Sequence, residues 1–215
     1  MTNVDKIPPR DRIFNAAVSL FAQKGYSAVG VRELATEAGV NISMISYYFG
    51  GKIGLLKDII EQFYNEYSEI IKNSLDNRLP LKEQTKQTIR SIVNFFKSRP
   101  DLCRIGITEL PYDSPEIAEF KSEKVLAVKE LIFDRLFSNF SLIIDDKITI
   151  SIISPALISV IYSNFLLGDV IRNVTGVEFD DAFYERYSET ISTFLIGGIM
   201  AVAAELQNKK GSSLF

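Results

Sequence analysis

The chain has 215 residues, 24 Lys and Arg against 27 Asp and Glu, a formal net charge of −3, and 47% hydrophobic with 11% aromatic residues. That is enough apolar material for one large domain or two. There is no His and no Trp, and Cys103 is the single cysteine, which excludes a disulfide framework, a Cys/His zinc site and a His-based catalytic triad within one chain. The opening residues MTNVDKIPPRDR hold no apolar segment of the kind a secretory signal needs, so a reducing cytoplasm is the expected setting.

Charge is unevenly placed. Residues 1–55 carry six basic groups (Lys6, Arg10, Arg12, Lys24, Arg32, Lys52) against four acids (Asp5, Asp11, Glu33, Glu37), a balance of +2, which leaves −5 for the remainder. Such asymmetry suggests that one segment meets a polyanion and another does not.

In chain order, a helical period dominates and no strand-like alternation is sustained, which predicts an all-α fold. The first helix is expected from Pro9 to Lys24, with Ile13, Ala17, Leu20 and Phe21 on one face and Gly25 as its stop. A second, Val31–Ala38, turns Leu34, Ala35 and Ala38 inward and ends at Gly39. The third starts with Asn41 as N-cap and runs to Phe49, followed by Gly50 and Gly51. Two helices joined by so short a turn form a helix-turn-helix. A fourth helix, from about Gly54 to Leu75, is too long for the small domain before it. Further helices are expected at about 82–98, 101–110, 116–138, 145–171 and 181–209, punctuated by Pro100, Pro111 and Pro115.

The run ITISIISPALISVIYSNFLLG, residues 148–168, is long enough to span a bilayer. Its Ser, Thr and Asn residues and Pro155 argue instead for an apolar helix buried in a bundle core or dimer, so no membrane partner is expected.

On the third helix, at 100° per residue, Ile42, Ile45 and Phe49 share one face and are read as core. Ser43, Met44 and Tyr47 fall opposite, flanked by Ser46 and Tyr48. Short hydroxyl side chains permit close approach to a major groove, a thioether can touch a thymine methyl, and Lys52 lies just beyond, placed for a phosphate. The Tyr47 and Tyr48 rings could instead cover a neighbouring helix. Arg32 is a candidate phosphate clamp.

Residues 10–56 resemble the DNA-binding domain of the tetracycline-repressor (TetR) family of bacterial regulators. The resemblance is carried by "LFAQKGY" closing the first helix, "VRELATEAGV" in the second, and the "YYF..K..LL" exit. It implies a DNA-binding domain over residues 1–53 and a helical ligand-binding and dimerisation domain over 54–215, including the connecting helix 54–75. It also implies a homodimer pairing through the last two long helices, a double-stranded DNA operator and a small-molecule effector. Carried across residue by residue, its DNA contacts fall on Arg32, Asn41, Ser43, Met44, Tyr47, Tyr48 and Lys52. Two positions depart from the family pattern: Ile42 replaces a usual lysine and Gly50 another common basic residue. The N-terminal arm, with Lys6, Arg10 and Arg12, is the available substitute for those phosphate contacts.

In the C-terminal part, bulky residues on the middle helices are the candidate effector contacts: Phe95, Phe96, Cys103, Ile107, Phe120, Phe133, Phe137, Tyr162 and Phe165. They point to an apolar effector. No cofactor or metal is called for. Two other classes compete with a ligand-responsive repressor. A carboxylate enzyme could use Asp145 and Asp146 or Asp180 and Asp181, although both pairs stand where helices begin and N-capping explains them at less cost. A helical interaction module would never meet DNA at all.

Overall fold

The computed structural model describes residues 7–75, 78–111, 113–132 and 146–212, with side chains through residue 207. Among the described residues, ten helices follow in order: α1 Pro9–Lys24, α2 Val31–Ala38, α3 Ser43–Phe49, α4 Lys52–Ser74, α5 Leu81–Ser98, α6 Pro100–Thr108, α7 Pro115–Ile132, α8 Lys147–Leu166, α9 Gly168–Thr175 and α10 Asp181–Ser212. The fold is all-α, and no strand occurs among the described residues.

Chain contacts group the molecule into two compact units. The first comprises Met1–Glu66 with Arg99–Leu126, the second Tyr67–Ser98 with Ala127–Phe215. Helix α4 supplies residues to both.

In the first unit, α1 starts on Pro9, whose missing N–H costs a helix nothing in its first turn. It ends where Gly25 adopts φ +80 and donates its N–H to the Phe21 carbonyl. Ile13, Ala17, Phe21, Leu34, Ile45, Leu55, Leu56, Ile59, Ile60 and Phe63 are almost wholly buried. Each large side chain among them contributes about 1.5 to 3 kcal/mol of transfer free energy. Helix α6 completes this core with Leu102, Cys103 and Ile105. It comes so close to α4 at Gly106 that a Cβ there would run into the Phe63 ring.

In the second unit, α5 and α10 run antiparallel, as their ion pairs record: Lys97 with Asp181 at 2.6 Å, Arg90 with Glu185, and Lys86 with Glu189 at 2.6 Å. Exposed pairs of this kind add only about 0 to 1 kcal/mol each, so the ladder sets register more than stability. Beneath it lies an aromatic cluster. The Phe96 ring meets Tyr67, Phe95, Tyr162 and Phe165 with centroids 5.4 to 6.3 Å apart. The Tyr187 hydroxyl donates to the Val160 and Ile161 carbonyls of α8.

Three expectations change. The helix expected over 145–171 is two helices, because Leu167 leaves helical geometry (φ −107, ψ 13) and Gly168 lies against the Phe179 ring. Ile42 is 42% exposed rather than core. It occupies the cap position, ahead of the turns of α3 that bury Ile45 and Phe49. Among the described residues, α8 is little buried: Ile161 and Tyr162 are the buried positions along it, while Ile148 is 72% exposed. Helices α8 and α10 are each long and apolar enough to cross a membrane by length and composition alone. Two of the carboxylates weighed as possible catalysts, Asp146 and Asp180, act as helix caps. Asp146 accepts the Thr149 N–H at 2.7 Å and Asp180 the Phe183 N–H at 2.8 Å. Asp181 pairs with Lys97, which holds its carboxyl below the usual range. Asp145 lies outside the described residues.

Candidate nucleic-acid interface

Helix α2 stops at Gly39, whose left-handed φ of +61 turns the chain, while the Val40 N–H returns to the Ala35 carbonyl at 3.0 Å. The Asn41 side chain then organises the entry to α3. Its Oδ1 accepts the Ser43 N–H at 2.9 Å and the Ser43 hydroxyl at 2.8 Å. The Asn41 carboxamide is thereby oriented with its NH2 remaining as a donor. Asn41 thus supplies the capping hydrogen bond from one position ahead of Ile42, which borders α3 in helical geometry (φ −55, ψ −31).

With Ile45 and Phe49 anchored at 1% and 8% exposure, the opposite face of α3 looks outward. Ser43 and Ser46 are exposed and Tyr47 is 81% exposed. Met44 and Tyr48 are half-buried. The Tyr47 and Tyr48 rings meet edge to face at 4.9 Å, and Tyr48 in turn meets Phe49 at 6.5 Å. Tyr48 therefore braces Tyr47 against the core. The structure brings Asn41, Ser43, Met44, Tyr47 and Tyr48 together on one short segment. Arg32 is exposed at the start of α2, where its own carbonyl accepts the Thr36 hydroxyl.

Lys52, the first residue of α4, is half-buried, with its Nζ 4.1 Å above the Tyr26 ring centroid. Burial pulls its pKa below that of an ordinary lysine, opposed by the carboxylates of Asp113 and Glu109.

The N-terminal arginines have internal roles. Arg10 pairs with Asp58 of α4 at 2.7 Å and stacks on the Phe49 ring, 5.1 Å from its centroid. Arg12 donates to the Gly39 carbonyl at 3.2 Å, tying α1 to the turn of the helix-turn-helix. Both contacts brace α3 and the turn before it. Lys6 lies outside the described residues.

Sequence reasoning missed Gly54. A methyl group there would fall on the Phe49 carbonyl, so only glycine lets α4 leave so close to the end of α3. Gly50 and Gly51, by contrast, serve the turn through positive φ values of +71 and +113. The crowding of glycines in "GGKIG" was the available signal.

The candidate effector residues divide. Phe95, Phe96, Tyr162 and Phe165 meet in the aromatic cluster of the second unit. Cys103, Ile107 and Phe120 belong to the first unit. Burial, reinforced by Glu66 against Arg99, pushes the Cys103 thiol up to about 12, so it is an inert thiol at neutral pH. Phe133 and Phe137 lie outside the described residues.

Comparison with known proteins agrees with this geometry. Residues 13–59 match the model of the bacterial regulatory proteins of the tetR family. Over 126 residues the chain is 36% identical to "Probable HTH-type transcriptional regulator YttP" of Bacillus subtilis, covering 58% of this chain and 61% of that one. Over 101 residues it is 30% identical to the HTH-type transcriptional repressor NicS of Pseudomonas putida, covering 46% and 47%. The matched region thus spans about half to three-fifths of the length of these curated relatives. The fold is similar to that of the fatty acid degradation regulator FadR from Bacillus halodurans, with a TM-score of 0.71 at 20% identity, covering 89% of this chain and 96% of that one. A helix-turn-helix with an outward aromatic face and the family match over the helices that build it, on a fold shared across most of the chain, lead to one conclusion: residues 13–59 form a helix-turn-helix domain of the kind that marks the tetR family of bacterial regulatory proteins.

Proposed function

We propose that this chain is a DNA-binding transcriptional regulator, a homodimeric repressor that places α3 in the major groove of a palindromic operator and is released by a small apolar effector. The observation that carries the reading is Tyr47: a tyrosine 81% exposed on a helix whose other face is locked in the core. A large aromatic side chain held out in this way, beside Ser43 and the Asn41 amide, suits base edges and phosphates rather than a protein interior. Arg32, Met44, Tyr48 and Lys52 complete the proposed contact set.

Homodimer formation is supported by the second unit. Along α10, Gly197, Gly198, Ala201 and Ala204 are exposed beside Phe194 (64%) and Met200, and α8 exposes Ile148 and Ile152. Small residues between large apolar ones let two helices approach closely. The same pairing would cover apolar helices that the chain itself leaves open, in keeping with a cytoplasmic protein. An apolar effector is supported by the bulky residues already placed in each unit. Helix α4 has residues in both units, so repacking around its second part can re-aim its first. Recognition helices of a dimer must be about 34 to 36 Å apart to enter successive grooves, and a small tilt removes contacts in both half-sites.

The test is a DNA retardation assay on genomic fragments that include the chain's own promoter. Discrete retarded complexes, competed by one palindromic duplex and not by unrelated DNA, are expected. No retardation at micromolar protein would reject the reading.

A further inference from the structure

Resting on the DNA-binding reading, we infer that the connection between α6 and α7 is an internal competitor for DNA: its carboxylates hold Lys52 in a seat on Tyr26 from which a phosphate must draw it. The seat is built from four elements of the first unit. The Lys121 ammonium of α7 donates to the carbonyls of Ile107 and Glu109 at 3.2 and 2.9 Å, pinning the end of α6. From that pinned end the Glu109 carboxylate accepts the Tyr26 N–H at 3.3 Å, just after α1. The Tyr26 ring, itself buried, then takes the Lys52 ammonium on its face at 4.1 Å. Asp113, two residues before α7, and Glu109 both act electrostatically on Lys52.

A lysine at the first position of a helix is disfavoured by the helix dipole, and the ring and carboxylates offset that penalty. DNA phosphate offers Lys52 the same kind of partner. The two bindings compete, because the acids that hold the ammonium on the Tyr26 face and an external phosphate draw on the same single charge. DNA affinity is therefore set in part by where α6 ends. Any displacement of that end moves Glu109 and with it the seat. This route to the DNA-binding helices runs through the turn after α1 and does not depend on a tilt of α4.

The experiment uses the full chain and the double variant Glu109→Gln with Asp113→Asn. Glutamine keeps an oxygen to accept the Tyr26 N–H, so the change removes charge and keeps the fold. The first readout needs no DNA: the rate of reductive methylation at Lys52, followed by peptide mass spectrometry. It is expected to rise about two- to fivefold in the variant, the range that an exposed ion pair corresponds to. An unchanged rate overturns the seat. The second readout is affinity for a labelled duplex of random sequence at fixed salt. The variant is expected to bind about two- to fivefold more tightly, with the gain abolished in a Lys52→Ala background. A gain that persists without Lys52 would mean that the acids act through the general field alone, and the inference falls. Wild-type protein that binds no DNA, with a methylation rate that responds as expected, would fail the functional reading and leave only the seat.

Discussion

Tyr47 and Lys52 illustrate how differently two residues of the proposed DNA interface are expected to behave. Tyr47 has most of its surface in solvent, so Tyr47→Ala should change folding stability by no more than about 0.5 kcal/mol. It should impair binding to the specific operator by about 1 to 3 kcal/mol. Lys52→Ala should weaken binding to all sequences alike and lower the slope of log affinity against log salt by about 1, since a phosphate contact carries no sequence information. Fluorescence anisotropy with operator and random duplexes across a salt series separates the two. Wild-type operator affinity for Tyr47→Ala would show that the reading face lies elsewhere. Lys121 makes a pH prediction. Burial brings its pKa down to about 8 from the ordinary 10.5, with Glu109 opposing. Below pH 8 both folded and unfolded chains hold this proton. Between pH 8 and 10.5 the unfolded chain binds it and the folded chain does not, so the contribution of Lys121 to stability rises with pH across that window and is flat above it. Urea unfolding of wild type and Lys121→Met from pH 7.5 to 10.5 should show a difference that grows in favour of wild type. A pH-independent difference would refute the shifted pKa.

At the scale of elements, the joint between α3 and α4 depends on Gly54. Gly54→Ala must push its methyl group against the Phe49 carbonyl, which backbone cannot yield as a flexible side chain can. A cost of about 1 to 3 kcal/mol is expected, together with lost operator binding, because Phe49 anchors α3, the proposed reading helix. Unfolding midpoints and retardation on the same sample check it, and wild-type values in both would show that the joint is slack. For α4 as a proposed switch, Phe63→Ala and Tyr67→Ala should alter the effector response more than the operator sequence preferred. Both residues are buried and outside the proposed DNA contact set. Operator affinity with and without the cognate effector is the measurement, and wild-type behaviour in both variants would make α4 a passive linker. Phe63→Ala should also cost about 3 to 5 kcal/mol of stability as a large-to-small core change, so its binding is to be measured well below its unfolding midpoint. Several elements were legible in sequence because their determinants are local. Pro9 and Gly25 bound α1, Gly39 ends α2, and Asn41 caps α3. The break at Leu167 was not legible, since "NFLLGD" keeps its apolar period while Gly168 answers to the Phe179 ring, eleven positions on.

For the whole molecule, the exposed strip of α10 gives the test of assembly. At neither Gly197 nor Gly198 would a Cβ meet any group beyond its own stretch of helix within 4 Å. The Cβ of Gly197→Trp therefore starts in open space on an exposed face, whereas the indole would collide with a helix paired across a dimer axis. Sedimentation should find wild type dimeric and the variant monomeric or misassembled, with helix content close to wild type by circular dichroism. A wild-type monomer at micromolar concentration would refute the dimer. By itself the sequence determined the all-α class, the helix-turn-helix, the cap residues and the outward direction of Tyr47, because helical period, capping and glycine turns are written within a few residues of where they act. Only the tertiary structure decided that Ile42 is exposed and that Arg10 and Arg12 brace α3. The placing of Lys52 on Tyr26 and the grouping of residues 99–126 with the N-terminal helices also emerged only there. Those outcomes depend on which distant segments arrive beside a given side chain. Partners 27, 48 or 83 positions apart, as in Arg12 with Gly39, Arg10 with Asp58 and Tyr26 with Glu109, leave no periodic trace in the sequence that folds to join them.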